Sequence, residues 1–111
     1  MPKMSLTTEI ELLSLLIDLE AELRTQQLWR TNPLLASAYL SHEPFCFDTM
    51  TFTEWLQFVF LPKIRDIIDK QQTLPNKCSI APMAEEYFKG ASEDGTRIIQ
   101  LLARIDALLT N

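Results

Sequence analysis

A chain of 111 residues, 47% apolar and 23% charged, has the composition of an ordinary globular domain and the length for one. Its net charge of −5 works against non-specific binding to phosphate backbones, where clustered lysine and arginine supply the affinity. Two cysteines are too few for a disulfide framework, and no apolar run approaches the ~20 residues of a membrane span.

The expectation is therefore a single domain over residues 1–111, in the cytoplasm, with no membrane contact. The apolar run from Leu12 to Ile17 follows Glu9 and Glu11 rather than a basic leader, so it does not read as a signal peptide. The acidity is uneven. Residues 1–60 hold eight acids and three bases, and residues 61–111 hold seven of each. A local basic surface is thus possible only in the second half.

The first predicted helix runs from about Thr8 to Leu28. Thr8-Glu9-Ile10-Glu11 fits a capping box, in which the hydroxyl and the carboxylate satisfy amides that lack helical partners. Leu12, Leu16, Leu19 and Leu23 recur at helical spacing, with Leu13 and Ile17 widening the stripe. Asn32-Pro33 has the chemistry of a cap followed by a first helical residue, which predicts a short helix containing Leu34, Leu35, Ala38 and Tyr39. His42 to Phe47 reads as extended, because Pro44 biases its predecessor away from helix.

Thr51-Phe52-Thr53-Glu54 is the clearest local signal: a capping box, with Met50 and Trp55 at the positions of a hydrophobic staple. The helix it starts should continue to about Gln71 and be kinked by Pro62, which lacks an N–H and crowds the carbonyl of Phe58. Trp55, Leu56, Phe58, Val59, Phe60 and Leu61 leave it little polar face, the mark of a central helix. Thr73-Leu74-Pro75-Asn76 is a turn. A helix from Pro82 to Lys89 should stop at Gly90, and Ser92 should cap a last helix over residues 93–109. Ile98, Leu101, Leu102, Ile105, Leu108 and Leu109 form its stripe. No segment reads as a strand. The fold class is all-α, a four- or five-helix bundle or array with a proline-kinked central helix.

Catalytic signals are sparse. Two glycines, Gly90 and Gly95, are too few for a phosphate-cradling loop. His42, Cys46 and Cys78 do not make a zinc site, since Pro44 spoils the helical turn that would align the first two. Lys77 next to Cys78 would lower its thiol pKa, but a nucleophile also needs a base, and His42 is the sole imidazole. Glu85-Glu86 and Glu93-Asp94 are neighbours that point about 100° apart on a helix and so read as solvated surface. No catalytic residue, metal or cofactor is expected. Lys63, Arg65, Lys70 and Lys77 are the densest bases, with Asp66 and Asp69 between them, and Asp66 and Lys70 have the spacing of a helix ion pair.

Eight of the ten aromatic residues lie between Trp29 and Phe60. Two readings stand: a bulky core, or an exposed patch that marks a partner interface.

The stretch Pro44-Phe45-x-x-Asp48-Thr49-Met50, then Glu54-Trp55-Leu56-Gln57-x-Val59, then Leu61-Pro62-Lys63 resembles the signature of the YqcC-like family of small helical bacterial proteins. Trp29-Arg30, Leu74-Pro75 and Ala81-Pro82 follow the same pattern in order. The resemblance implies an all-helical domain with no catalytic residues to carry over. It also implies an accessory role beside a tRNA pseudouridine synthase, whose mixed α/β catalytic domain this chain is too short and too helical to contain.

The leading expectation is a non-enzymatic accessory protein with a protein partner, the synthase being the partner the resemblance suggests. Its candidate interaction surface is Phe45, Asp48, Thr49, Trp55, Gln57 and Lys63. Thr49 and Gln57 are the two whose capping or packing role is least evident. The alternatives are direct RNA binding through the bases after Pro62, and a small apolar ligand in an aromatic-lined cavity.

Overall fold

The two cleanest aliphatic stripes in the sequence pack on one another. In the computed structural model, which describes residues 5–74 and 77–110, the first helix α1 (Leu6–Thr25) lies against the last, and α3 (Ala81–Lys89) flanks that same last helix, α4 (Thr96–Leu109). Between them runs α2, from Phe52 to Asp69, as an α-helical stretch Phe52–Trp55, a π-wound turn Leu56–Phe60 and a second α-helical stretch Leu61–Asp69. Its C-terminal part packs on α1. Two short 3-10 turns, Ala36–Leu40 and Pro44–Cys46, occupy the long α1–α2 connection. Among the described residues there is no strand, and no helix is long and apolar enough to cross a membrane.

The core is aliphatic at its centre. Leu12, Leu16, Leu19 and Leu23 of α1 meet Leu56 and Leu61 of α2 and Ile98, Leu101, Leu102 and Ile105 of α4, all with essentially no accessible surface. Burying each such side chain is worth roughly 1.5–3 kcal/mol. Ile17 does not join them: it is 63% exposed, and Leu15 takes the buried place instead. Leu15 lies on the 3.6-residue face shared by Leu12, Leu16, Leu19 and Leu23, whereas Ile17 points away from it. Leu6 and Ile10 stand exposed on the same outer face as Ile17.

Helix ends depart from the expected positions for local chemical reasons. α1 is capped by Ser5, whose Oγ accepts the Thr8 amide at 3.2 Å, so Thr8 is helical rather than the cap. It closes three residues early because Gln27 turns left-handed (φ 61°), letting the Leu28 amide reach the Leu23 carbonyl at 2.8 Å. α2 closes in the same way at Gln71 (φ 52°), the Gln72 amide reaching the Ile67 carbonyl at 2.9 Å. The turn expected at Thr73–Asn76 lies partly outside the described residues. The short helix expected at Asn32-Pro33 is absent; helical turns begin only at Ala36 and have no side-chain cap.

The distortion expected from Pro62 takes the form of the π turn just upstream. There the Leu61 amide donates to the Leu56 carbonyl, five residues back. The helix is wider at the point where the proline offers no donor.

α3 draws its cap from a distant part of the chain. The Asp106 carboxylate, on α4, accepts the amides of Ile80 at 2.8 Å and Ala81 at 2.8 Å. Nearby, Thr110 Oγ1 accepts the Cys78 amide and donates to the Cys78 carbonyl. α4 starts at Thr96 rather than after Ser92, and Asp94 accepts the Thr96 amide at 3.0 Å. Packing sets that boundary: a Cβ on Gly95 would stand 2.2 Å from Phe88 Cγ, so the turn there must be glycine for the ring to lie across it. Gly90 follows α3 as expected, but at φ −101°, without the left-handed turn.

Candidate functional site

The candidate site grows from the cap of α2. Thr51 Oγ1 accepts the Glu54 amide at 3.1 Å, and Glu54 Oε1 accepts the Thr51 amide at 2.8 Å, completing the predicted box. The other Glu54 oxygen binds Arg30 Nη1 at 2.8 Å. Burial alone would raise the Glu54 pKa, but the Thr51 amide and the Arg30 guanidinium outweigh it and hold the carboxyl below its ordinary value.

Gln57 completes this attachment. Its side-chain oxygen accepts the Arg30 amide and its nitrogen donates to the Arg30 carbonyl, both at 2.8 Å. Only 8% exposed and with both ends of its amide engaged, Gln57 is a structural clamp on the α1–α2 connection, not a surface-recognition group. Thr49 also works within the connection, donating to the Ala38 carbonyl at 2.7 Å. Asp48 accepts a hydrogen bond from Ser41 Oγ, and Ser41 Oγ in turn accepts the Glu43 amide. These contacts fix the 3-10 turn that carries Phe45.

That turn is strained. Glu43 is extended, as Pro44 requires, but Phe45 and Cys46 adopt left-handed backbone in succession (φ 57° and 50°). Such geometry costs roughly 1–2 kcal/mol per residue in a side chain with a Cβ. It sets Phe45 edge-on against Trp55, centroids 4.8 Å apart at 75°, and against Phe52 at 6.3 Å. Trp55 is also flanked by near-parallel rings, Phe52 at 6.2 Å and Phe60 at 5.7 Å. The chain of rings continues from Phe52 through Tyr87 to Phe88.

The eight central aromatics therefore mostly pack on one another or on the core. Phe52 and Phe60 are buried; Trp29, Phe45, Trp55 and Phe58 are half-buried; only Tyr39 (45%) and Phe47 (61%) are substantially exposed.

Beside this cluster lies an open apolar groove of about 240 Å³, walled by Phe45, Trp55 and Val59 and floored by Phe60, Ile64 and Ile80. Lys63 and Lys77 stand at its rim. The structure thus brings Phe45, Trp55 and Lys63 of the predicted surface together. Asp48 and Thr49 are exposed but do not line it, Thr49 instead facing a separate pocket with Arg30, Ala38 and Glu54, and Gln57 is withdrawn from it. Lys77 was legible only as one base among several, and Asp106 had no local signal, since the amides it caps are 25 and 26 positions away.

The predicted basic stretch divides. Arg65 binds Glu20 of α1 at 3.0 Å and Lys70 binds Asp66 at 3.2 Å, leaving Lys63 and Lys77 without an ion pair among the described residues. Cys78 does not gain reactivity from Lys77. Burial and the neighbouring Asp106 carboxylate, to which the thiol donates at 3.0 Å, push its pKa up to about 12. Among the described residues no three His, Cys, Asp or Glu side chains cluster with metal-holding geometry.

Fold and groove define a class: a small all-helical domain presenting an apolar, lysine-rimmed groove. The chain belongs to the DUF446, or YqcC-like, family, whose model, described as "tRNA pseudouridine synthase C", matches residues 11–108. It is 41% identical over 90 residues to an uncharacterized protein of Haemophilus influenzae, covering 81% of each chain. It is 36% identical over 93 residues to the uncharacterized protein YqcC of Escherichia coli, covering 84% of this chain and 85% of that one. The solution NMR structure of E. coli YqcC superposes with a TM-score of 0.82 at 34% identity, covering 96% of this chain and 91% of that one. A further match has a different shape. Over 75 residues, 68% of this chain, it is 37% identical to a Pectobacterium carotovorum protein named tRNA pseudouridine synthase C, of which those residues make up only 20%.

Proposed function

We propose that this protein is a non-enzymatic accessory module of the cytoplasm that docks onto another protein, and that its partner is a tRNA pseudouridine synthase. The observation that carries this reading is the Pectobacterium match: a segment similar to this domain accounts for a fifth of a much longer chain that bears the synthase name. When a domain is tethered within a chain, the linker alone supplies a high effective concentration, so a weak interface suffices.

The chemistry of the ionisable side chains supports the non-enzymatic half. The Cys78 thiol is far from its reactive form at neutral pH, and the carboxylates Glu20, Glu54 and Asp106 are each engaged in ion pairs or helix caps. Pairing of Arg65 and Lys70 with acids weighs against a groove for a phosphate backbone.

The test is binding of the purified full-length chain to a purified tRNA pseudouridine synthase, with and without tRNA, at ~50 and ~200 mM salt. The expected result is binding to the synthase without tRNA and with a shallow salt dependence. Binding to tRNA alone, weakening by orders of magnitude across that salt range, would replace the reading with direct RNA recognition. No binding to either would overturn the synthase partnership.

A further inference from the structure

We infer that the groove between Phe45, Trp55 and Val59 is a binding site for a short acidic protein segment that inserts one large apolar side chain. This rests on the reading of the protein as a docking module and specifies the chemistry of what docks. Size gives the first argument. At about 240 Å³ the groove is smaller than the ~300–1,000 Å³ typical of small-molecule sites, and it suits a single anchoring side chain.

Charge gives the second. The chain carries a net −5, yet five of its bases are matched with its own acids: Arg24 with Glu20, Arg30 with Glu54, Arg65 with Glu20, Lys70 with Asp66 and Lys89 with Glu86. Of the four exposed bases with no such match among the described residues, Lys63, Lys77, Arg97 and Arg104, the two lysines stand together on the rim of the same apolar groove. Carboxylates flanking an apolar anchor would meet them, and the groove would repel a basic segment.

Ring geometry separates a peptide from a nucleic acid. Recognition of single-stranded RNA needs an aromatic face on which a base can stack. Trp55 already has Phe52 and Phe60 near-parallel to it and Phe45 on edge, so three rings of its own chain occupy its surroundings. What remains is a cleft between rings, shaped for a side chain. The wall is also pre-formed. Phe45 is held in its left-handed turn by contacts within the connection, so binding does not have to order it.

The experiment titrates the labelled protein, followed by NMR, with a short polyglutamate peptide carrying one central Phe. Matched peptides have that Phe replaced by Ala or the glutamates replaced by Lys, and a single-stranded oligouridylate serves as the RNA probe. The expected shifts map to Phe45, Trp55, Val59, Lys63, Lys77 and Ile80, and the two altered peptides bind at least about tenfold more weakly. The Lys63→Glu/Lys77→Glu variant should lose affinity for the acidic peptide by about tenfold and gain it for the lysine peptide. A charge reversal that merely damaged the fold would not gain a ligand. Val59→Phe, at a half-buried wall position, should block the groove independently. Shifts elsewhere, indifference to the charge reversal, or tighter groove binding by the oligouridylate would overturn the inference. The same variants separate it from the synthase reading. If they still bind the synthase, the groove inference falls and the partnership stands. If wild-type protein takes the peptide in the groove but ignores the synthase, the partnership falls and the groove stands.

Discussion

The α1–α4 pair and the segment from Pro44 to Phe60 treat their apolar side chains in opposite ways. In the pair, leucine and isoleucine recur on faces that bury completely, and no interior residue departs from helical backbone. In the segment, aromatics predominate, the chain twice turns left-handed, one helical turn is π-wound, and Phe45, Trp55, Phe58 and Val59 stay half-exposed. Burial is the yield of the first region. The second tolerates strain of about 1–2 kcal/mol per left-handed residue and keeps an apolar cleft open to solvent. The strain at Phe45 and Cys46 lies at this cleft, away from the aliphatic core.

Truncation should expose this contrast most sharply. Leu102→Ala, in the fully buried face of α4, should cost about 2–5 kcal/mol of unfolding free energy by urea titration. Phe45→Gly removes a larger side chain but also releases a left-handed backbone residue, recovering roughly 1–2 kcal/mol. Its net cost should fall well below the 3–5 kcal/mol usual for a buried Phe truncation, while the acidic-peptide affinity collapses. Equal costs at the two positions would erase the distinction between the regions.

Acid should find the joint between them. Glu54 ties the start of α2 to Arg30, and its folded pKa lies below its unfolded value. Its contribution, about 1 kcal/mol as a cap, is therefore complete above the ordinary value of 4.5 and disappears as pH falls through the folded pKa. Glu54→Gln keeps the geometry of the box but not the charge, so its stability should decline less steeply below about pH 4.5 than that of the wild type. Glu20, lowered in the same direction because hydrogen bonds from Arg65 and Arg24 outweigh its desolvation, preserves part of the acid slope in both proteins. Superimposable acid limbs in urea melts, or a Glu54 carboxyl titrating by NMR at an unshifted value, would show that the joint is not electrostatic.

The smallest effect belongs to the turn where α1 gives way to the connection. Gln27 occupies a left-handed closing position that glycine adopts without penalty. Gln27→Gly should raise stability by at most about 1 kcal/mol, a few degrees in melting temperature for a chain of this size. A loss instead would mean that the Gln27 side chain contributes more than its backbone costs.

Interval and local chemistry made the helices legible. Leu12, Leu16, Leu19 and Leu23, or Ile98, Leu101, Leu102 and Ile105, can occupy a common side only if the chain is helical, and the Thr51–Glu54 box is complete within four residues. The all-α class, the capped start of α2 and the distortion near Pro62 follow from such short-range facts. The groove could not be read this way. It exists because a left-handed turn at Phe45 faces Trp55 ten residues on, because the segment containing Lys77 returns beside Lys63, and because Asp106 anchors that segment across more than twenty positions. Whether Gln57 meets solvent or Arg30, and whether Arg65 is free or bound to Glu20, depends likewise on partners far along the chain. Periodicity tells a side chain which way to point from its own helix. What it finds there is decided only when the helices pack.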